Sequence, residues 1–150
     1  MKKRCLFLVA AIALAGVMTS SALAEKKSAK LEKGFVALFD GSSTGHWMNA
    51  RSGQFPAKGW SIEDGCLKCA PKGGGGDIIT RGTYEQFDFR FEWKVAKGAN
   101  SGVKYFIIRE RGSLGHEYQV IDDAGYPDGG SHSTASFYGV LAPAKDKPIK

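Results

Sequence analysis

The sharpest alternation of apolar and polar positions runs from Gln86 to Val95 (QFDFRFEWKV). Phe87, Phe89, Phe91, Trp93 and Val95 alternate with Asp88, Arg90, Glu92 and Lys94, the period-two signature of a strand with one buried face. The aromatic side predicts a core-lining strand, and the charged side faces either solvent or a cleft. A second pattern, Gly98 to Asp123, predicts two strands joined by a polar turn. The first spans Ser101 to Arg109 and carries Val103, Tyr105, Phe106, Ile107 and Ile108; the second is His116 to Asp122. Alternation puts Glu117 and Gln119 on one face and Tyr118 and Val120 on the other. Beside a strand carrying Lys104, those polar groups would floor a polar site. A hairpin with one solvated face accounts for the same pattern equally well.

Shorter strands are predicted at Gly34–Phe39, stopped by Asp40-Gly41, and at Gly59–Glu63 and Cys66–Ala70 around an Asp64-Gly65 hairpin turn. Asp77–Thr80 and Ser136–Ala142 complete the set, the latter ended by Pro143. Trp47 and Phe55 are anchors onto the core within the polar segment Ser42–Pro56. Gly73 to Gly76 predicts a flexible loop; a phosphate cradle would need a following Gly-Lys-Ser/Thr and a helix, which are missing. No useful helical periodicity follows the first 24 residues. Repeated short strands, Asp-Gly turns and 20 glycines predict an all-β sandwich of antiparallel sheets.

The N-terminus has a different character. Lys2, Lys3 and Arg4 precede an apolar run from Cys5 to Met18, and Ala22-Leu23-Ala24 offers a cleavage site. Residues 1–24 are therefore predicted to be a secretory signal peptide, and the apolar run is short for a membrane span. No cysteine at the cleavage point indicates a lipid anchor, so the expected product is soluble, periplasmic or secreted, without a membrane anchor. Residues 25–33 form a charged linker, 34–143 one domain, and 144–150 a polar tail. The leader holds three of the 21 basic residues and none of the 15 acidic ones, leaving a charge of only +3. No basic stripe remains, and nucleic acid is not an expected partner.

Cys66 and Cys69 are the cysteines beyond the leader. Their C-x-x-C spacing lacks the second ligand pair of a zinc site. On a strand, residues three apart face opposite sides, so packing as two small residues is favoured over a disulfide. His132 lies in the loop YPDGGSHS among serines and a threonine, where an ordinary polar role is the commoner one.

With these pieces in order, the sequence resembles a known family. GFVALFDG, GWSIEDGCL, the glycine loop, FDFRFEWK, NSGVKYF, EYQVID and FYGVLAP follow the pattern of the DUF1080 family. Its members are described as 3-keto-disaccharide hydrolases or 3-keto-glucoside 1,2-lyases and hydratases. The resemblance runs from about Gly34 to Pro143 and implies a concanavalin A-like jelly roll. Family members usually continue beyond this point with further strands, so the chain resembles a truncated copy, with an incomplete jelly roll. Where relatives often read ALYD, this chain has Ser136-Phe137-Tyr138-Gly139, and Gly139 supplies no carboxylate.

The chemistry implied is cleavage of a small carbohydrate, a 3-keto-glycoside. The ketone acidifies the C2 proton, a base removes it, and the group on C1 leaves by β-elimination; water then adds to the 3-keto-2-hydroxyglucal. Such a site needs a base, a stabiliser for the enolate oxygen and an acid for the leaving group. The resemblance makes Glu117 the first candidate base, His132 the acid/base and Lys104 the catalytic cation. Arg90 would help hold negative charge, and Asn100, Gln119 and Tyr138 would contact substrate. A divalent metal ion held by Glu117 and His132 would serve as Lewis acid. Oligomeric state is left open.

Other readings start from the same scaffold. A non-catalytic sugar-binding module would stack Trp47, Trp60, Tyr84 or Tyr126 on sugar rings. A conventional glycosidase needs two carboxylates, and the series Glu117, Gln119, Ile121 lacks the second. An inactive fragment is the remaining alternative.

Overall fold

The structure is a computed structural model describing the backbone of residues 3–6, together with residues 31–125 and 129–146. The rest of the predicted leader, most of the linker, Tyr126 and the end of the tail lie outside the described residues. The described residues form eight strands: β1 (Lys3–Leu6), β2 (Trp47–Asn49), β3 (Trp60–Glu63), β4 (Cys66–Cys69), β5 (Ile78–Thr80), β6 (Phe87–Arg90), β7 (Asn100–Ile108) and β8 (Leu114–Ile121). A single 3-10 turn, Arg109–Arg111, joins the last two, and no α-helix occurs among the described residues. Strands β3–β4 and β7–β8 pair antiparallel, β1–β6 parallel, and β2 with β5. The fold class is all-β, consistent with a jelly-roll-like architecture.

The chain divides into two compact units. The first comprises Met1–Met48, Phe55–Gly75 and Thr80–Glu92; the second comprises Asn49–Gln54, Gly76–Ile79 and Trp93–Lys150.

In the first unit the apolar segment at Gly34–Phe39 is not a strand. Phe35 makes one isolated bridge, and the remainder is irregular. Its apolar side chains are nevertheless core: Phe35, Leu38 and Phe39 are all buried. Each such side chain contributes on the order of 1.5–3 kcal/mol by leaving water, whatever the backbone conformation. Trp47 locks onto this segment, its indole Nε1 donating to the Leu38 carbonyl at 2.8 Å. The segment ends at Asp40, whose Oδ1 accepts from the Ser42 and Ser43 amides and the Ser42 hydroxyl, a side-chain turn that competes with strand pairing.

The β3–β4 hairpin turns through Asp64 (φ 51) and Gly65 (φ 70), both left-handed, as its two-residue turn requires. The four-glycine segment is closely packed rather than a loose loop. A Cβ at Gly59 would lie 2.5 Å from the Gly75 amide nitrogen and 2.6 Å from the Gly73 carbonyl oxygen. Glycine is needed there because two backbones meet with no room for a side chain. Cys66 and Cys69 form no disulfide, and Cys69 is exposed rather than packed.

The aromatic stretch also departs from its pattern. Only Phe87–Arg90 is strand, in register with Lys3–Leu6, and the ladder ends where that pairing ends. Phe89 and Phe91 stack at 5.2 Å, while Phe87 and Trp93 are exposed, so the face is only partly covered. Alternation shows which side chains share a face; partners decide how long the strand is.

The second unit is built on the β7–β8 hairpin. Its register opposes Asn100 to Ile121, Gly102 to Gln119, Lys104 to Glu117, and Tyr105 to His116. A bulge interrupts it between Tyr105 and Ile108, where Phe106 adopts φ 52. The open end is tied by Gly98 donating to Asp122 Oδ2 at 2.7 Å and by the Asp122 amide donating to the Ala99 carbonyl. Val120 and Ile121, with Ile79, are this unit's buried apolar residues.

The predicted strand Ser136–Ala142 is instead a tight turn. Phe137 and Leu141 pair with each other across it, and Gly139 (φ 71) and Ala135 (φ 68) supply the reversals that an extended strand excludes. The segment from Gly130 to Gly139 then forms a strap along β8. Ala135 donates to the Gln119 carbonyl, Gln119 to that of Ser136, and Tyr138 to that of Glu117.

Candidate functional site

The hairpin register puts Asn100, Gly102 and Lys104 on the same face as Glu117 and Gln119. The strap adds to this face. Phe137 bridges Tyr118 and meets the His116 ring at 5.0 Å on the opposite, aromatic side. The Ser136 carbonyl accepts from the Gln119 amide and the Tyr138 amide donates to the Glu117 carbonyl, which sets both residues alongside β8 at those positions. His132 follows Tyr138, their rings meeting edge to face at 5.0 Å, both residues exposed.

Gln119 is the best-buried member, at 1% exposure. Its Nε2 donates to Asn100 Oδ1 at 3.3 Å and to the His132 carbonyl at 3.4 Å, which fixes the amide orientation. Oε1 is left buried without a hydrogen bond, as is the hydroxyl of Ser136. Buried polar atoms without a partner are costly, and each marks a place that favours a hydrogen-bonding group such as a hydroxyl. Ser133 and Thr134 complete the buried polar layer; Thr134 Oγ1 donates to the Ile121 carbonyl at 2.7 Å and accepts from the Ile121 amide at 3.1 Å.

Lys104 carries the positive charge. Its ammonium donates to Asp77 Oδ2 at 3.2 Å, and the Ser113 hydroxyl donates to the same oxygen. The Ser113 bond, then the Lys104 contact, hold the Asp77 carboxyl below the ordinary range against the opposing effect of burial. The Glu117 carboxylate folds over the Gly102 backbone: a Cβ there would meet Glu117 Cγ and Cδ at 2.7 Å.

Arg90 lies in the first unit. Its guanidinium bonds Glu32 at 2.8 Å and Asp88 at 3.1 Å and sits 4.3 Å above the Phe35 ring. The second unit thus gathers six of the seven predicted residues: Asn100, Lys104, Glu117, Gln119, His132 and Tyr138. Asp77, Ser113 and Ser136 were not legible as site residues. Asp77 is 27 positions from Lys104 and 36 from Ser113, so nothing local in the sequence links it to either.

Residues 34–150 match the family described as a 3-keto-alpha-glucoside-1,2-lyase-like domain. The chain belongs to this family. It is 32% identical over 143 residues to a 3-keto-disaccharide hydrolase of Bacteroides thetaiotaomicron (strain VPI-5482), an alignment covering 77% of this chain and 49% of that protein. The chain therefore spans about half the length of the curated relative it matches.

Family membership sharpens the question of a metal ion. Among the described residues, no group of three or more His, Cys, Asp or Glu side chains converges closely enough to hold one. Nor is any described helix long and apolar enough to cross a membrane.

Proposed function

We propose that the chain cleaves 3-keto-glycosides by proton abstraction and β-elimination. One observation carries this reading: Glu117 and Lys104 are direct cross-strand partners on a polar face that also holds the unpaired buried acceptor of Gln119. Glu117 takes the C2 proton. Lys104 faces the oxygen on which negative charge develops as the enolate forms. The C1–oxygen bond breaks, and the departing oxygen takes a proton from His132, steadied by Tyr138. Water adding across C1 and C2 of the glycal then completes hydrolysis. Asn100 and Gln119 hold sugar hydroxyls, Gln119 as an acceptor that a hydroxyl satisfies and a ketone does not.

Exported action, periplasmic or secreted, fits the leader-like sequence of residues 1–24 and a sugar substrate. The rival sugar-binding module loses support in the first unit. The indole of Trp47 is tied to Leu38, and Trp60 lies where a Cβ at Gly75 would meet its Cδ1 at 2.8 Å.

The test is incubation with a 3-keto-glucoside, with added divalent metal and with chelator, following aglycone and the glycal intermediate. Release of both establishes elimination, and the chelator arm shows whether metal is needed. Binding without release, by a chain that unfolds cooperatively, would replace this reading with the sugar-binding module.

A further inference from the structure

The charges on the polar face do not pair as cross-strand neighbours ordinarily do. Lys104 and Glu117 are directly opposed, close enough for a routine ion pair. The ammonium goes instead to Asp77, and the Glu117 carboxyl lies back over Gly102. Asp77 comes from outside the hairpin, just before β5, and is anchored there from two directions. Ser113 bonds its carboxylate, and Asn49 Nδ2 donates to its carbonyl at 3.3 Å. The carboxylate is thus fixed in place, and the long, flexible lysine comes to it.

We propose that Asp77 is a positioning residue that draws the Lys104 ammonium away from Glu117. The consequence for rate rests on the proposed elimination; the placement of Lys104 does not. A carboxylate clamped by an ammonium is a poorer proton acceptor, and an ammonium spent on that clamp is unavailable to a developing enolate. Asp77 keeps base and cation apart while leaving both on one face. Its own ionised state, favoured by Ser113 and Lys104, is the form this role requires.

Asp77→Asn keeps the shape and a carbonyl acceptor for Ser113 but removes the charge. In a crystal structure of that variant, Lys104 Nζ is expected within about 4 Å of the Glu117 carboxylate, the ion-pair distance. Turnover is expected to fall on the order of 10-fold in kcat with KM little changed, a loss confined to the reacting geometry. Asp77→Glu should restore most of the rate. A lysine that remains remote from Glu117 in Asp77→Asn overturns the proposal, as does an unchanged kcat with the lysine relocated. Should the parent chain show no turnover, the elimination reading falls, and the position of Lys104 still decides this one. Asp77→Ser provides a second charge-free variant read the same way.

Discussion

Two cation–carboxylate clusters, one in each unit, use similar groups to different ends. Arg90 in the first unit is doubly paired: two carboxylates share its guanidinium, and the Phe35 ring lies beneath it. These contacts join Glu32 and Phe35 to β6, the work of a staple. Lys104 in the second unit pairs with the Asp77 carboxylate, which it shares with Ser113, and its cross-strand neighbour Glu117 has no ion pair among the described residues. The same unit holds the unmet buried polar atoms of Gln119 and Ser136. Stabilising clusters close their bonds; a site for chemistry keeps some open.

The strongest way to break this contrast is Glu117→Gln. Turnover is expected to drop roughly 10²–10⁴-fold, the usual worth of a general base, with the thermal midpoint nearly unchanged. Steady-state rates and a melting curve measure both, and an unchanged rate would remove Glu117 from the mechanism. Gly102→Ala asks the same question without touching the carboxylate. Its Cβ would occupy the space of the Glu117 carboxyl, so the side chain must move. Misplacing a reacting group by about 1 Å costs on the order of 10²-fold, so a large fall in kcat is expected from one methyl group. Full activity in this variant would show that the observed position of Glu117 is not the working one.

Acid sharpens the contrast more gently. The Asp77 carboxyl is lowered in the folded chain, and so is that of Asp40, first by the Ser42 amide. A lowered carboxyl stabilises the fold above its unfolded value, about 3.9, and that stability is lost as pH falls through the lower folded value. Denaturant midpoints should therefore hold from neutrality to about pH 5 and decline below about pH 4. In Asp77→Asn the decline should be shallower; an identical decline would mean that Asp77 gains nothing from its partners. The smallest effect is expected for Arg90→Met. Solvent screens an exposed ion-pair cluster, so the thermal midpoint should shift by no more than about a few degrees. A much larger shift would mean that the cluster is more than a surface staple.

The residues that could be placed in advance were those whose neighbours lie close in the chain or directly across a short turn. Period-two alternation separated Glu117 and Gln119 from Tyr118 and Val120. The Asp64-Gly65 pair marked its hairpin through the positive φ that both positions adopt. The same reasoning overreached for Gly34–Phe39 and for Ser136–Ala142, where apolar character was right but an extended backbone was not. Burial of Phe35, Leu38 and Phe39 needs apolar side chains, not strand geometry.

Local sequence, then, determined the all-β class, the β7–β8 hairpin and the face on which its polar groups stand, because alternation and turn chemistry act over a few residues. Tertiary structure alone decided which partner each charge takes. Lys104 is claimed by Asp77, 27 residues away, instead of the Glu117 that the register places opposite it. Side-chain ion pairs are settled by where folded backbones deliver their groups in space, and spacing along the chain carries no record of that.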